Sequence, residues 1–271
     1  MLVPLPQPYD FELSTARFDV YGRDAATLWH DGGVHRVFAG REIRLEAAPG
    51  GVDVHPHDDA IEAEVLRFLG LPFELEPFRA WAEADPVLGP LARGLAGYRP
   101  VLQPDPFEAL VTSITAQQVS LQSAAAIRSR FVERYGDRHV HAWSFPTRAR
   151  VARATEAELV GLGFSGRKAE YVLGLARSDL DLDGFAALPD EEVTARLVSL
   201  RGLGEWTADW FLARHLGRPH AWPAGDLGLR KAVAAFYGDV ADLRAFARRL
   251  HPFENLSAHH LLNGLRVLPP T

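Results

Sequence analysis

The side chains in this sequence whose types and spacing could do chemistry are one aspartate, two tryptophans and two glutamines. Asp226 stands in a loop rich in proline and glycine, directly before a helical pattern. That position suits a helix N-cap, and a carboxylate there could also stabilise positive charge that develops in a transition state. Trp206 and Trp210 are four residues apart and share one helix face, where they could wall a pocket or pack in a core.

Gln117 and Gln118 separate two helical patterns, because one apolar face ends at Ala116 and Ser120 is a suitable N-cap for the next helix. Two adjacent glutamines at such a junction can be an ordinary polar turn. They can also be a hydrogen-bonding projection at the edge of a cleft. The residues alone leave both interpretations open.

The stretch 200–210 contains a Gly-x-Gly turn, formed by Gly202 and Gly204, between two helical patterns. Glycine lets the backbone turn sharply and approach a partner closely. The second helix would begin with free N–H groups and the positive end of a helix dipole, which favour a phosphate oxygen. Most turns of this kind only end one helix and begin another, so the turn indicates an anion site only together with its neighbours.

The elements that must position these residues fall into two classes. Short alternating runs between glycine-rich turns predict strands within residues 3–55. The runs are 11–13, 18–21, 26–29, 34–38 and 43–45. A helix is predicted from Asp58 to Leu69, across one face of an antiparallel sheet, and from about Phe78 the apolar spacing is helical. We therefore predict an α+β fold, with an N-terminal sheet domain at 1–77 and a helical region at 78–271.

Composition excludes several classes of site. The 271 residues include no cysteine, which rules out disulfides, thiolate nucleophiles, cysteine-ligated zinc and iron–sulfur clusters. His55, His57, Asp58 and Asp59 have the spacing of a metal cluster. Histidine and aspartate are also common in turns that cap helices, and no further ligand group stands near them in the sequence, so we favour the cap.

The net charge of −6 is unevenly distributed. Residues 1–100 carry 9 Arg against 16 acidic residues, whereas residues 101–271 carry 18 Arg and 2 Lys against 19. Arginine suits forked contacts with phosphate, although a GC-rich genome would give the same bias. The sequence contains neither 18 consecutive apolar residues nor a basic N-terminus followed by an apolar run. We therefore expect a soluble, cytoplasmic protein with no membrane partner.

The order of a glutamine-containing helix junction, a Gly-x-Gly hairpin and an aspartate in a Pro/Gly loop resembles the helix-hairpin-helix (HhH-GPD) DNA glycosylase superfamily. Within it, the similarity is to AlkA-type 3-methyladenine DNA glycosylases II. The resemblance covers most of the chain and is most specific between about Pro106 and Leu265. It implies a two-lobed helical core, with the active site in a cleft between residues 106–217 and residues 218–271 together with 78–105.

The resemblance implies a role for the hairpin, since residues 200–208 match the family pattern. The amides of Gly202, Gly204 and Trp206, with Thr207 beside them, would hold a DNA phosphate. In relatives, hairpin carbonyls can bind a structural Na⁺, K⁺, Ca²⁺ or Mg²⁺ ion. The corresponding carbonyls here are those of Val198, Leu200 and Leu203. No cofactor is expected to be required for the reaction.

The resemblance also assigns side chains to the chemistry. Asp226 matches the catalytic aspartate, and Gln118, with Gln117 beside it, falls where relatives insert a side chain into the gap left by an extruded base. Leu262 falls near a tryptophan on the opposite pocket wall of relatives. Trp206 replaces the lysine that forms a Schiff base in members that also cleave the strand. Tryptophan cannot form an imine, so we predict hydrolysis without strand cleavage.

A cationic alkylated base between Trp206 and Trp210 would gain roughly 0.5–2 kcal/mol of cation–π attraction. The resemblance thus implies a monofunctional DNA glycosylase for alkylated bases such as 3-methylpurines and 7-methylguanine. It would act in base excision repair, on double-stranded DNA, as a monomer, and at the nucleoid if the source is bacterial. Two alternatives remain open: a non-catalytic DNA-binding protein that keeps the hairpin, and a glycosylase of another branch, for oxidised or mismatched bases.

Overall fold

The structure of this protein is a computed structural model that describes residues 1–269; residues 270 and 271, the end of the predicted helical region, lie outside the described residues. The fold is α+β, as predicted. An N-terminal antiparallel sheet with helices precedes a long helical region.

The strands are β1 (Leu2–Pro4), β2 (Thr27–His30), β3 (Gly33–Phe38), β4 (Arg41–Ala48) and β5 (Gly51–His55). The α-helices are α1 (Phe11–Thr15), α2 (Arg17–Val20), α3 (Asp59–Phe68), α4 (Leu75–Ala82), α5 (Leu88–Gly94), α6 (Pro106–Ala116), α7 (Leu121–Tyr135), α8 (Arg148–Val151), α9 (Glu156–Gly161), α10 (Gly166–Arg177), α11 (Asp190–Val198), α12 (Glu205–Phe211), α13 (Leu227–Tyr237), α14 (Leu243–Ala247) and α15 (Glu254–Val267). A π-helical turn at Leu212–Leu216 extends α12. Among the helices within residues 1–269, none combines the length and apolarity needed to cross a membrane.

The sheet has the strand order β1-β5-β4-β3-β2, and every neighbouring pair is antiparallel. Val34, Leu45 and Val54 are opposite one another across β3, β4 and β5, and all three are buried. Val65 and Phe68 of α3 belong to the same core. The predicted strands at 26–29, 34–38 and 43–45 and the helix at 58–69 are confirmed.

The predicted strands at 11–13 and 18–21 are wrong, because these residues form α1 and α2. Asp10 caps α1 by accepting the Leu13 amide at 2.8 Å, and Phe11 is buried against the sheet. Runs of three or four residues contain too few apolar positions to separate the strand period of 2 from the helix period of 3.6. The edge strand β1, with the buried Val3, and the strand β5 were not predicted.

Side-chain caps begin the helices that lead to the predicted site residues. Asp105, Ser120, Ser165 and Asp226 each accept the amide three residues further on, and so begin α6, α7, α10 and α13. The helical run that starts with α12 ends at Gly217, whose φ of 68° is left-handed. The caps predicted at Ser120 and Asp226 and the stop predicted at Gly217 are therefore confirmed.

Three hydrophobic cores divide the molecule. The first joins the sheet to α1 and α3. The second draws mainly on residues 107–221 and includes α6, α7 and α10–α12. The third combines residues 73–102 with residues 222–261, so that α4 and α5 pack with α13–α15. The helical region consequently has two lobes, and the chain enters the third core at Phe73.

A buried ionic network ties the sheet to the second core. Glu108 of α6 accepts hydrogen bonds from Arg36 of β3, at 3.0 Å for one pair, and from Arg128 of α7. Arg128 also pairs with Asp24. Burial alone would raise the pKa of Glu108, but the two guanidinium groups hold that pKa below its usual value. The network keeps β3 and the segment before β2 next to α6 and α7.

The hairpin between α11 and α12 requires a glycine at one position. Gly202 has a φ of 92°, which side chains other than glycine rarely adopt. A Cβ atom at this position would lie 2.0 Å from the ring of Tyr171. The close contact with Tyr171 of α10 therefore fixes the turn against the second core.

Candidate active site

A cleft with a volume of about 1210 Å³ lies between the two helical lobes. Its walls come from the α6–α7 junction, α12, the beginning of α13, α15 and the N-terminal helices α1 and α2. The structure brings most of the side chains singled out from the sequence into this cleft. They are Gln117, Gln118, Gly204, Trp206, Thr207, Trp210, Asp226 and Leu262.

Asp226 is fixed through both carboxylate oxygens. Its Oδ1 accepts the amide of Leu229 at 2.8 Å and so caps α13. Its Oδ2 accepts the indole N–H of Trp206 at 3.0 Å and that of Trp210 at 3.1 Å. These charge-assisted bonds hold the carboxylate in one orientation at the cleft. Capping and presentation of a negative charge to the cleft are thus compatible in one residue.

The two indoles differ in the surface that they offer to a ligand. Trp206 is half-buried, whereas Trp210 is only 4% exposed. The guanidinium carbon of Arg214 lies 3.6 Å from the ring centroid of Trp210. Arg214 follows Trp210 by one helical turn, which places the two side chains in contact. The aromatic surface open to the cleft therefore belongs mainly to Trp206.

The two glutamines lie in different surroundings. The Nε2 of Gln117 donates to the Gly202 carbonyl at 3.0 Å and lies 3.5 Å from the hydroxyl of Thr207. Gln117 therefore ties the α6–α7 junction to the hairpin. Gln118 is exposed at the cleft and has a φ of 54°, a strained value for a residue with a side chain. Gln118 is therefore exposed, whereas its neighbour is bound to the hairpin.

The hairpin presents three amides without a partner. Within residues 1–269, the N–H groups of Gly202, Gly204 and Trp206 donate no hydrogen bond. Thr207, which was expected beside a phosphate, is 1% exposed, and its amide donates to the Gly204 carbonyl at 3.0 Å. Thr207 therefore supports the turn from the inside, while the three amides remain without an acceptor.

The family model of the HhH-GPD superfamily base excision DNA repair proteins matches residues 111–249 of this chain. The chain belongs to this superfamily. The matched segment contains the α6–α7 junction, the hairpin and the loop with Asp226. It thus contains most of the cleft residues described above.

Individual members of the superfamily are similar over longer stretches. A DNA-3-methyladenine glycosylase from Bacillus subtilis is 33% identical over 193 residues, which cover 67% of this chain and 64% of the relative. A probable bifunctional transcriptional activator/DNA repair enzyme AlkA from Mycobacterium tuberculosis is 30% identical, over 97% of this chain and 56% of the relative. The chain thus spans less than two-thirds of the length of these two relatives.

The solved structure of a 3-methyladenine DNA glycosylase from Archaeoglobus fulgidus has the same architecture. The two chains superpose with a TM-score of 0.89 and 25% identity, and the match covers 98% of each chain. The N-terminal sheet, and not only the helical HhH-GPD region, therefore belongs to the shared fold.

The HhH-GPD hairpin also contains the carbonyls expected to bind an ion. The Leu200 carbonyl accepts the Leu203 amide at 3.1 Å. Within residues 1–269, the carbonyls of Val198 and Leu203 accept no hydrogen bond. Unpaired carbonyl oxygens at a turn are the ligand type that hard cations prefer, so these residues fit such an ion.

Leu262 of α15 faces Asp226 across a gap that a glycine keeps open. A Cβ atom at Gly228 would lie 3.0 Å from Oδ1 of Asp226 and 3.4 Å from Leu262. Leu262 is half-buried and packs against both helical cores. Leu262 therefore contributes an aliphatic side chain to the cleft close to Asp226.

Arg214, a cationic side chain that lines the cleft, was not predicted from the sequence. Burial and the nearby Arg17 of α2 lower the pKa of Arg214 to about 9, against the opposing effect of Asp226. The Nε of Arg214 has no hydrogen-bond partner within residues 1–269. The spacing of Trp206, Trp210 and Arg214, at four and eight residues, places them on one helix face and could have identified this arginine.

Proposed function

We propose that this protein is a monofunctional DNA glycosylase that hydrolyses the N-glycosidic bond of alkylated bases. The observation that carries the proposal is Asp226, whose carboxylate is held by two indole N–H groups at the cleft, beside the open hairpin amides. Membership of a superfamily of base excision repair proteins, and relatives named as 3-methyladenine glycosylases, support the substrate class.

The chemistry follows from the position of Asp226. An alkylated base is cationic and already a good leaving group, so departure needs stabilisation of the sugar more than protonation of the base. As C1′ becomes an oxocarbenium ion, a fixed carboxylate nearby stabilises the positive charge without reorganising. The same carboxylate orients, or accepts a proton from, the attacking water.

The base must leave the duplex to reach this carboxylate. Extrusion costs a few kcal/mol, and less for a damaged, poorly paired base. Gln118 is exposed at the cleft edge, and its strained backbone projects the side chain outward. We assign Gln118 to the gap left in the duplex. Gln117, which is bound to the Gly202 carbonyl, supports the junction instead.

The hairpin supplies the contact with the DNA backbone. The free amides of Gly202, Gly204 and Trp206 suit a phosphate oxygen, because N–H groups without partners are strong donors. Val198, Leu200 and Leu203 would hold a cation through their carbonyls. Such an ion would supply positive charge beside the phosphate. The reaction itself requires no cofactor in this scheme.

The proposed partner is double-stranded DNA with one damaged base, bound by a monomer in the cytoplasm, and at the nucleoid in a bacterium. Trp206 carries no amine, so the protein forms no Schiff base with the sugar. We therefore expect the product to be an intact strand with an abasic site.

A base-release assay on duplexes that contain 3-methyladenine, 7-methylguanine or hypoxanthine tests the proposal, with strand nicking followed in parallel. We expect free base and an abasic strand that breaks only after alkali treatment. Binding of the duplex without release would favour a non-catalytic DNA-binding protein. Release coupled to nicking, or release of oxidised or mismatched bases only, would favour another branch of the superfamily.

A further inference from the structure

Four side chains that the proposed DNA chemistry does not use meet where the sheet contacts the helical region. His30, His35 and Glu42 lie on the neighbouring strands β2, β3 and β4. His141 lies in the loop between α7 and α8, 99 positions from Glu42 along the chain. One donor atom each of His35, Glu42 and His141 lies within 4.8 Å of the other two.

The three imidazole rings are spaced as ligands of one ion would be. Their centroids are 4.5 Å apart for His35 and His141, 5.2 Å for His30 and His141, and 5.9 Å for His30 and His35. Imidazoles bound to one tetrahedral ion, with metal–nitrogen bonds of about 2.0 Å, place their centroids roughly 5 Å apart. The rings are tilted against one another rather than stacked.

Glu42 organises the cluster. Its Oε1 lies 2.8 Å from Nδ1 of His35, and its Oε2 accepts the His141 amide at 2.9 Å. Glu42 thus contacts both residues with which it would share an ion.

An ion can approach the cluster from solvent, although the His35 side chain itself is buried. The rings of His30 and His141 are exposed, and within residues 1–269 their nitrogens make no hydrogen bond. An ion can therefore reach the cluster from solvent without displacing protein partners of these two rings.

The loop that carries His141 is held in place independently of any ion. The His139 amide donates to the Ala142 carbonyl at 3.0 Å, and the Trp143 amide donates to the Ala25 carbonyl at 2.9 Å. Donor groups from the sheet and from the helical region are thus positioned before an ion arrives. This reduces the ordering cost of binding.

Two other groups of histidine and acidic residues differ from this one. His220 and His251 are stacked at 16° and share Glu254. His57, Asp59 and Glu62 lie in a single segment, where the Asp59 side chain is 97% exposed. Neither group contains a buried histidine or connects the sheet to the helical region, so both provide internal controls.

We propose that His35, His141 and Glu42 form a site for one divalent transition-metal ion of borderline softness, with zinc as the representative, and that the exposed ring of His30 lies beside this site. Imidazole nitrogens with a carboxylate oxygen are a donor set that zinc accepts in tetrahedral geometry. The bound ion clamps the N-terminal sheet to the loop at 138–143. This site is separate from the cleft and does not depend on the proposed glycosylase activity.

Zinc binding by the full-length chain, freed of metal with a chelator, tests the proposal. Calorimetry should give one tight site per chain at micromolar zinc, and cobalt(II) in place of zinc should give the strong visible absorption of a tetrahedral ion. His141→Ala should weaken zinc binding at least ~10-fold. His141 is exposed, so the metal-free variant should unfold at the same temperature as the unmodified chain.

The control variants are His57→Ala and His220→Ala, which should bind zinc like the unmodified chain. Zinc should raise the unfolding temperature of the unmodified chain and of both controls but not that of His141→Ala. Absence of binding at 100-fold higher zinc, unchanged affinity in His141→Ala, or loss of affinity in either control overturns the proposal.

Discussion

At the scale of single residues, the site depends on an aspartate that caps a helix and presents its charge to the cleft. The Leu229 amide occupies Oδ1, whereas the Trp206 and Trp210 indoles hold Oδ2. If Asp226 served only as a cap, two tryptophan donors would be superfluous. Their convergence on one oxygen indicates that the orientation of the charge matters.

Asp226→Asn separates these two roles. Asparagine keeps the cap on α13, but its amide nitrogen would face the two indole N–H groups, so we expect the free energy of unfolding to fall by about 1–3 kcal/mol. Loss of the fixed charge should slow base release by ~10³-fold, while affinity for the duplex is retained. Single-turnover release, fluorescence anisotropy and urea unfolding measure the three quantities.

Asp242→Asn is the matched control for this substitution. Asp242 also caps a helix, α14, but lies on the surface away from the cleft. It should leave both stability and base release unchanged. If Asp226→Asn and Asp242→Asn had the same activity, the catalytic role of Asp226 would be wrong.

The adjacent glutamines should behave differently when each is truncated. Gln118→Ala should lower release from paired duplex more than release from single-stranded substrate, because only the duplex has a gap to fill. Gln117→Ala removes the bond to the Gly202 carbonyl. It should destabilise the protein by about 1 kcal/mol and slow release from both substrates equally. Equal effects of Gln118→Ala on the two substrates would contradict its assignment to the gap.

The sequence predicted the aspartate, the tryptophans and the glutamines as site residues. It did not predict the separate contacts that each one makes in the structure. Gln117 contacts the hairpin, whereas Gln118 is exposed at the cleft and has a positive φ. The residue types alone do not predict this φ. The contact of Arg214 with Trp210 follows from helix spacing and could have been found. Its lowered pKa could not, because that depends on burial in the folded protein and on Arg17, which is distant in sequence.

At the scale of elements, α6 is central because it contacts the sheet, α7 and the hairpin lobe at once. Its first turn carries Glu108, which is 1% exposed and bound to Arg36 and Arg128. These three charges come from β3, α6 and α7. Removal of one member leaves the others buried without compensation, which costs more than the pairs contribute when intact.

Glu108→Gln should therefore lower the free energy of unfolding by about 3–5 kcal/mol. The matched control is Glu133→Gln. Glu133 of α7 pairs with Arg23 at the protein surface. That exposed pair should contribute less than about 1 kcal/mol. Urea unfolding at neutral pH measures both variants. A loss in Glu108→Gln no greater than that of the control would show that the network is not stabilising.

Element prediction succeeded where the pattern was long and failed where it was short. α3, α7 and α13 extend over ten or more residues and have an N-cap residue, so both ends were predictable. α1 and α2 have five and four residues, and they are helical because they pack on the sheet and beside the cleft. That tertiary reason is absent from the local sequence.

At the scale of the whole molecule, the cleft needs all three cores. The hairpin and α12 come from one helical lobe, α13 and α15 from the other, and α1 and α2 from the N-terminal part. The resemblance in sequence implied the two lobes. The contribution of α1 and α2 could not be read from the sequence, because their residues were assigned to strands.

Buried histidines should make the stability of this assembly sensitive to acid. Burial lowers the pKa of His215 and of His260 to about 4, and lowers that of His259 well below 6.5. In the unfolded chain these groups take up a proton near pH 6.5. Between pH 6.5 and 4 the unfolded state therefore binds more protons, and stability falls as the pH falls. Asp209 acts in the opposite sense, because burial raises its pKa to about 6.

His260→Gln should reduce the loss of stability that the buried histidines cause on acidification from pH 7 to pH 4. A pKa lowered from 6.5 to about 4 corresponds to about 3 kcal/mol at pH 4. The slope of unfolding free energy against pH should fall by about 1.4 kcal/mol per pH unit within this window. The exposed His55, changed to Gln, should leave the slope unchanged. Urea unfolding at half-unit pH steps measures both. His260→Gln also lowers the stability at pH 7, because packing against Phe78 is lost. The prediction is therefore tested by the slope of stability against pH and not by the absolute stability. An unaltered slope would mean that His260 is already charged in the folded protein.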